Sequence, residues 1–212
     1  MACKIKICGI TNATDARAAV EAGADALGFV FHRKSPRWVD AKVVKAIVSE
    51  LPPFVLPVGV FVDEDAKVVR DLMDECGLAL AQLHGDESAS YCERLGRPVL
   101  KAIRLRDRGS FLALAEFQGR AQVRGFVVDA FSEEAYGGTG QTADWNLAAE
   151  AAKAARILLA GGLTPANVGE AIERVRPYGV DVSSGVEASP GKKDPEKIRA
   201  FVRAVRGMSG SR

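Results

Sequence analysis

Short runs of aliphatic and β-branched residues alternate along this chain with longer stretches whose apolar positions recur every third or fourth residue. The runs predict strands over Lys4–Cys8, Leu27–Phe31, Leu56–Val62, Leu80–His84, Val99–Arg104, Gly125–Phe131, Ile157–Ala160 and Val180–Ser183. The longer stretches predict helices near Thr14–Ala22, Ala41–Leu51, Asp65–Cys76, Ser88–Leu95, Ser110–Phe117, Trp145–Ala155, Ala166–Val175 and Pro195–Val205. Val43, Val44, Ile47, Val48 and Leu51 show the i, i+3/i+4 spacing of one buried helix face. Helix starts are marked by Asn12 and Thr14, by Asp63, and by Thr164-Pro165, and helix stops by Gly23, Gly77, Gly96 and Gly119.

Eight strands, each followed by a helix, fit the lower size range of a closed barrel, so the fold expected is α/β, a single-domain (β/α)8 TIM barrel. Near-continuous apolar strands suit parallel strands covered on both faces. An open doubly wound sheet is the competitor, but no G-x-G-x-x-G follows the first strand. No linker or low-complexity stretch interrupts the pattern. Residues 1–207 read as one barrel and 208–212 as a flexible C-terminal tail.

Composition narrows the partners. Apolar residues make up 48% of the 212 and charged residues 26%, enough for a core, and the net charge is only +2. Lys and Arg are spread along the chain with no basic arm, which argues against nucleic acid. No apolar run is long enough to span a bilayer, and Met1-Ala2-Cys3-Lys4 leads straight into a strand, so no membrane association and a cytoplasmic location are expected. The cysteines (Cys3, Cys8, Cys76 and Cys92) form no CxxC pair, and with two histidines they offer no metal pattern. Cys76 and Cys92 read as small packing residues on helices and Cys3 as incidental. Neither a metal nor a cofactor is expected.

In a barrel, chemistry belongs to the C-terminal strand ends. Read in order, these are Cys8-Gly9, the loop His32–Trp38, Gln82-Leu83-His84-Gly85, Arg104, Asp129 with Gly137-Gly138-Thr139-Gly140, Ala160–Thr164, and Asp181–Glu187. Polar residues and glycines gather here, while the loops before the strands are plainer. Gly161-Gly162 and Ser184-Gly185 follow the last two strands, where glycines let backbone N–H groups approach an anion closely. They predict a phosphate site, although the same glycines also serve tight strand–helix turns.

Six segments in register resemble the phosphoribosylanthranilate isomerase family of tryptophan biosynthesis. They are Lys6–Thr11, Ser35-Pro36-Arg37, Gln82–Gly85, Gly137–Gly140, Leu159–Leu163 and Asp181–Glu187, spread over about residues 4 to 205. The resemblance implies an Amadori rearrangement, an aldose–ketose isomerisation of N-(5-phosphoribosyl)anthranilate to 1-(2-carboxyphenylamino)-1-deoxyribulose 5-phosphate. It implies Cys8 as general base, Asp129 as general acid and Arg37 as holder of the anthranilate carboxylate. Gly138, Gly161, Gly162, Asp181, Ser183, Ser184 and Gly185 are expected to bind the phosphorylated substrate. The alternatives are a related phosphosugar isomerase of histidine biosynthesis, expected to carry a carboxylate at the Cys8 position, and a non-catalytic phosphate-binding barrel. The protein is expected to be a monomer or homodimer.

The assigned roles run against ordinary acidities. A free Cys, with a pKa of about 8.5, is mostly thiol at neutral pH, and a free Asp, at about 3.9, is almost fully ionised. The roles require Cys8 lowered and Asp129 raised. Lys6 shares the Cys8 face of its strand, so it either lowers the thiol or pairs with an interior carboxylate such as Asp181. Val127, Val128 and Phe131 offer Asp129 an apolar setting. His84 reads as a hydrogen-bonded interior residue outside the chemistry, Trp38 as cover for the rim, and Gln82 and Arg104 as further pocket lining.

Overall fold

A computed structural model describes residues 2–105, 107–129 and 145–208. The strands are β1 (Lys4–Cys8), β2 (Ala26–Val30), β3 (Leu56–Phe61), β4 (Leu80–Leu83), β5 (Val99–Arg104), β6 (Val123–Asp129), β7 (Ile157–Ala160) and β8 (Gly179–Val182). All pair in parallel with their sequence neighbours, and β8 returns to β1 to close the barrel. The helices are α1 (Ala13–Ala22), α2 (Ala41–Ser49), α3 (Ala66–Cys76), α4 (Ala89–Leu95), α5 (Ser110–Phe117), α6 (Trp145–Ala154), α7 (Val168–Val175) and α8 (Pro195–Gly207). This is the (β/α)8 barrel the hydrophobic pattern predicts. Among the described residues, no helix is long and apolar enough to cross a membrane. Of the expected tail, only Met208 falls within the described residues.

Two apolar layers hold the barrel. Outward strand residues such as Ile5, Ile7, Leu27, Phe29, Val128 and Leu159 join helix residues such as Val44, Val69, Ala148 and Phe201 in the larger core. Inside the barrel, Val58, Leu100, Val127 and Leu158 form a smaller plug. The period-2 alternation of strands then carries Lys6, Cys8, Gln82, Asp129 and Asp181 to the interior above that plug. Side chains fill the lower barrel and leave the upper end for chemistry.

Most helix ends follow their local signals, and two depart from them. Asn12 caps α1 by accepting from the Asp15 N–H at 2.8 Å. Gly23, Gly77 and Gly96 end their helices in the left-handed conformation. Asp63, expected to cap the third helix, does not. Asp65 performs that task, while Asp63 takes a positive φ of 50° and its carboxylate accepts from the Asp86 N–H at 2.6 Å. The seventh helix starts later than Thr164-Pro165 suggests, at Val168, because the Asn167 side chain folds back to accept from the Thr164 N–H.

One element departs from the repeat. After β8 and a 3-10 turn at Ser184–Val186, the chain forms a small antiparallel hairpin, β9 (Glu187–Ser189) and β10 (Lys192–Lys193). It docks on the loop after β1 and the start of α1, where the Thr11 hydroxyl donates to the Gly191 carbonyl at 2.6 Å and Asp15 accepts from the Lys193 N–H at 2.8 Å.

Candidate active site

The C-terminal end of the barrel opens into a cavity of about 690 Å³. Cys8 enters it from the end of β1, Arg37 from the loop after β2, Gln82 from β4 and His84 from just after it, and Asp129 from the end of β6. Gly161 and Gly162 follow β7, and Asp181, Ser183 and Ser184 come from β8 and its loop. Val30, Val60 and Val62 supply an apolar wall, and His32 and Ser35 the rim.

The turn after Cys8 fixes the thiol. Gly9 has a φ of 76°, and the amides of Gly9 and Ile10 both donate to the Gly28 carbonyl, at 2.9 and 3.0 Å. Cys8 lies in register with Gly28 of β2, where a side chain would collide with the sulfur. Lys6, one step back on the same face, lies in register with Asp181 of β8. Its ammonium donates to Asp181 Oδ2 at 2.7 Å, and both groups are almost wholly buried. Both readings of Lys6 therefore hold together: it pairs with an interior carboxylate, and its charge favours the thiolate form of Cys8.

The lowering of the Cys8 pKa that the base role requires is not found. Burial pushes the thiol above its ordinary value; Lys6 and, from farther away, Lys193 pull it down, but Asp181 works against them and burial prevails. Lys6 moves the other way from its own burial, held up as an ammonium by Asp181 and Cys8.

Arg37 is set by a tight turn in which the Ser35 hydroxyl accepts from the Arg37 N–H at 3.1 Å. Its guanidinium is already paired along one edge. Nε donates to Glu187 Oε1 at 2.8 Å and Nη2 to Oε2 at 2.7 Å, the two-point geometry suited to a carboxylate. Burial alone would raise the Glu187 pKa, but Arg37 and Lys193 hold the carboxyl below its usual range.

His84 is lowered by burial and is neutral at physiological pH. The Gln82 amide Nε2 donates to its Nδ1 at 3.0 Å, which leaves the ring proton on Nε2. Two buried acceptors on residues lining the cavity, Gln82 Oε1 and Asp181 Oδ1, have no partner among the described residues. Such atoms are costly unless something donates to them.

The glycine loops divide by role. Gly161 and Gly162, with φ of 90° and 62°, make a left-handed turn that L side chains rarely adopt, and both line the cavity. Gly185 does not line it. A Cβ there would fall 1.8 Å from the Leu163 carbonyl oxygen, so its bare backbone lets the β8 loop lie against the β7 loop. The amides of Ser184 and Gly185 show no acceptor among the described residues. Gly138 and its neighbours Gly137, Thr139 and Gly140 lie outside the described residues. Arg104 is exposed and borders a neighbouring cavity of about 480 Å³, which shares His84 and Asp129 with the first. Trp38 does not line either cavity; the Arg33 guanidinium lies 5.1 Å from its ring centre.

Sequence reasoning missed the roles of Glu187 and Lys193. Glu187 ends a recognisable segment but carries no mark of its partner, and Lys193 sits in a Gly-Lys-Lys run that reads as solvated turn.

The chain is similar to known proteins over nearly its whole length. The family model described as N-(5'phosphoribosyl)anthranilate (PRA) isomerase matches residues 5–204. A curated protein of Geobacter sp. (strain M21), named N-(5'-phosphoribosyl)anthranilate isomerase, is 52% identical over 206 residues, covering 97% of this chain and 99% of its own. A solved phosphoribosyl anthranilate isomerase in complex with reduced 1-(o-carboxyphenylamino)-1-deoxyribulose 5-phosphate is 39% identical, with a TM-score of 0.86 over 97% of this chain and 99% of that one. Monomers obtained from the dimeric enzyme of Thermotoga maritima are 37% identical, with a TM-score of 0.85 and the same coverage. The chain belongs to the N-(5'-phosphoribosyl)anthranilate isomerase family.

Proposed function

We propose that this protein isomerises N-(5-phosphoribosyl)anthranilate to 1-(2-carboxyphenylamino)-1-deoxyribulose 5-phosphate in tryptophan biosynthesis, with Cys8 as base and Asp129 as acid. The observation that carries the reading is the arrival of Cys8 and Asp129, 121 positions apart in sequence, in one cavity beside two glycine loops. Asp129 gives a proton to the furanose ring oxygen. The C1′–O bond breaks as the anthranilate nitrogen lone pair forms the C=N⁺ bond of an iminium. The Cys8 thiolate removes the C2′ proton, and the released electron pair neutralises the iminium to an enolamine, which tautomerises to the ketone. Lys6 offsets part of the burial that disfavours the thiolate, and the iminium adds positive charge next to the carbon being deprotonated. That combination suits a base whose resting thiol lies above its ordinary pKa.

Substrate binding follows from the same cavity. The Gly161-Gly162 turn and the amides of Ser184 and Gly185 suit the phosphate, with Ser183 beside them. Arg37 suits the anthranilate carboxylate. The unpartnered acceptors on Gln82 and Asp181 match the hydroxyl donors that a ribose carries.

The test supplies N-(5-phosphoribosyl)anthranilate and follows the loss of its anthranilate fluorescence for wild type, Cys8→Ala and Asp129→Asn. Turnover by wild type and its loss in both variants is expected. An inert wild type rejects the activity, and an active Cys8→Ala rejects the base.

A second copy of this chain is the partner we propose. Phe54, at the tip of the loop between α2 and β3, is 94% exposed. It borders a cavity of about 290 Å³ at the N-terminal end of the barrel, lined also by Leu56, Leu80, Leu100, Leu158 and Tyr178. An exposed aromatic beside a hollow with aliphatic walls and a charged border (Lys4, Asp25, Arg124 and Arg156) suits reciprocal insertion. Sedimentation equilibrium should give a dimer for wild type and a monomer for Phe54→Asp. A monomeric wild type, or a variant that still dimerises, rejects the contact.

A further inference from the structure

A buried ion network lies behind the cavity mouth and takes no part in the proton transfers above. Glu187 is the first residue of β9, and its side chain is 5% exposed. It receives two donors from Arg37 and a third from Lys193 of β10, whose Nζ lies 2.9 Å from Oε1. Lys193 is 0% exposed. The same ammonium donates to the Ser183 carbonyl at 3.2 Å and to the Ser183 hydroxyl at 3.4 Å. A lysine with no access to water, spanning a carboxylate and a loop that lines the cavity, is poorly explained as surface charge.

The geometry at Arg37 is one-sided. A guanidinium offers five N–H donors on a planar fork. Glu187 occupies the Nε–Nη2 edge, and Nη1 makes no hydrogen bond to any described residue. The arginine stem lies across Gly9, where a Cβ would stand 2.6 Å from Arg37 Cδ. The fork is thus held by Glu187 and its stem is seated on bare backbone, with one amino group uncommitted on a residue that lines the cavity. The hairpin that carries Glu187 and Lys193 is itself anchored, because the Lys197 ammonium donates to the Glu187 carbonyl at 2.8 Å and Asp15 accepts from the Lys193 amide.

We propose that Glu187 and Lys193 are positioning residues: Glu187 orients Arg37 to receive the carboxylate of the substrate, and Lys193 couples that clamp to the Ser183 loop at the phosphate. The proposal rests on the reading that Arg37 takes the anthranilate carboxylate and that the β8 loop takes the phosphate. A flexible arginine would have to be ordered anew at each binding event, whereas one already paired along its far edge is ordered before substrate arrives. Because one ammonium joins the clamp to the loop, the two charged ends of the substrate are gauged against each other at a fixed spacing.

Two ligands test this. One is reduced 1-(o-carboxyphenylamino)-1-deoxyribulose 5-phosphate, and the other is the same molecule without its carboxyl group. Wild type should prefer the first by roughly tenfold or more, the scale of a charge-assisted hydrogen bond. Glu187→Gln keeps the shape and removes the charge. It should bring that preference to within about threefold and raise KM much more than it lowers kcat, while the ligand without the carboxyl binds nearly as before. Lys193→Gln should weaken both ligands and also weaken inhibition by inorganic phosphate. A wild type indifferent to the carboxyl overturns the reading of Arg37 itself. A preference retained in Glu187→Gln, or a loss equal for both ligands, overturns the positioning role. Glu187→Asp, which keeps the charge on a shorter stem, should restore part of the preference. If Glu187→Gln does not fold, unchanged phosphate inhibition in Lys193→Gln overturns the coupling by itself.

Discussion

Replacing Gly28 with alanine should cost far more in catalysis than in stability, because the added methyl group meets the proposed base. Gly28 stands beside Cys8 across the β1–β2 pair, and a Cβ there would lie 2.7 Å from Sγ and 3.1 Å from both the Cys8 Cα and the Lys6 Cε. Ordinary contact needs about 3.4 Å or more, so the thiol must retreat by about 0.7 Å or turn to another rotamer. The Gly28 φ lies outside the left-handed region, so alanine brings no backbone strain, and the perturbation is steric. Overfilling a packed interior costs about 1–3 kcal/mol. For a chain of this size that is a fall in Tm of roughly 2–4 °C per kcal/mol, with most molecules still folded. A misplacement of about 1 Å at a reacting atom costs about 100-fold in rate. The expected result is a kcat reduced about 100-fold, a KM changed less than about threefold, and a modest shift in thermal unfolding. Fluorescence-monitored turnover and a melting curve on the same sample decide the matter. A kcat within twofold of wild type would refute the reasoning, since the sulfur could then move aside without consequence for the chemistry.

Four other outcomes follow from the same structure. The acid limb of kcat/KM should lie above the ordinary thiol range, because activity needs the Cys8 thiolate and burial holds the thiol up. Lys6→Met should move that limb to still higher pH and cost about 3–5 kcal/mol by stranding Asp181, whereas an unmoved limb separates Lys6 from the base. Gly185→Ala should destabilise by about 3 kcal/mol, at the upper end for overpacking, and weaken phosphate inhibition, because the methyl group meets the Leu163 carbonyl rather than a yielding side chain. Urea unfolding with phosphate titration checks both. At Asp25, burial alone would raise the pKa, but hydrogen bonds from Lys4, the Ile5 amide and Arg206 outweigh it and lower it. Its stabilisation is therefore present above the unfolded value of about 3.9 and is lost as pH falls through the folded value. Asp25→Asn should cost about 1 kcal/mol at pH 7 and nothing in strong acid, measured by urea midpoints across that range.

The barrel was legible because each strand–helix unit carries its own periodicity, and the strand ends followed from counting. Parity alone put Lys6 and Cys8 on one face. The partner of Lys6 depends on the β1–β8 register, which no local pattern encodes, so the sequence left two readings open. The direction of the Cys8 shift is hidden for a related reason: a neighbouring cation is visible in sequence, whereas the depth of burial that outweighs it is not. Asp63 and Asp65 are equally good caps by residue type, and a cross-loop hydrogen bond to the Asp86 amide decides between them. The hairpin strands span three and two residues, too short for any alternation to register, and the partners of the buried Lys193, Glu187 and Ser183, are set by tertiary folding.

The ion pair that closes the barrel joins residues 175 positions apart, and the hairpin ties to the first loop span 178 and 180. The cavity therefore depends on joining the first and last strands of the barrel, β1 and β8, and the hairpin that follows β8. Contacts of such separation form slowly. Turnover during refolding should accordingly lag behind the return of helical signal, and enzyme activity then serves as a clock for the closing of the ring.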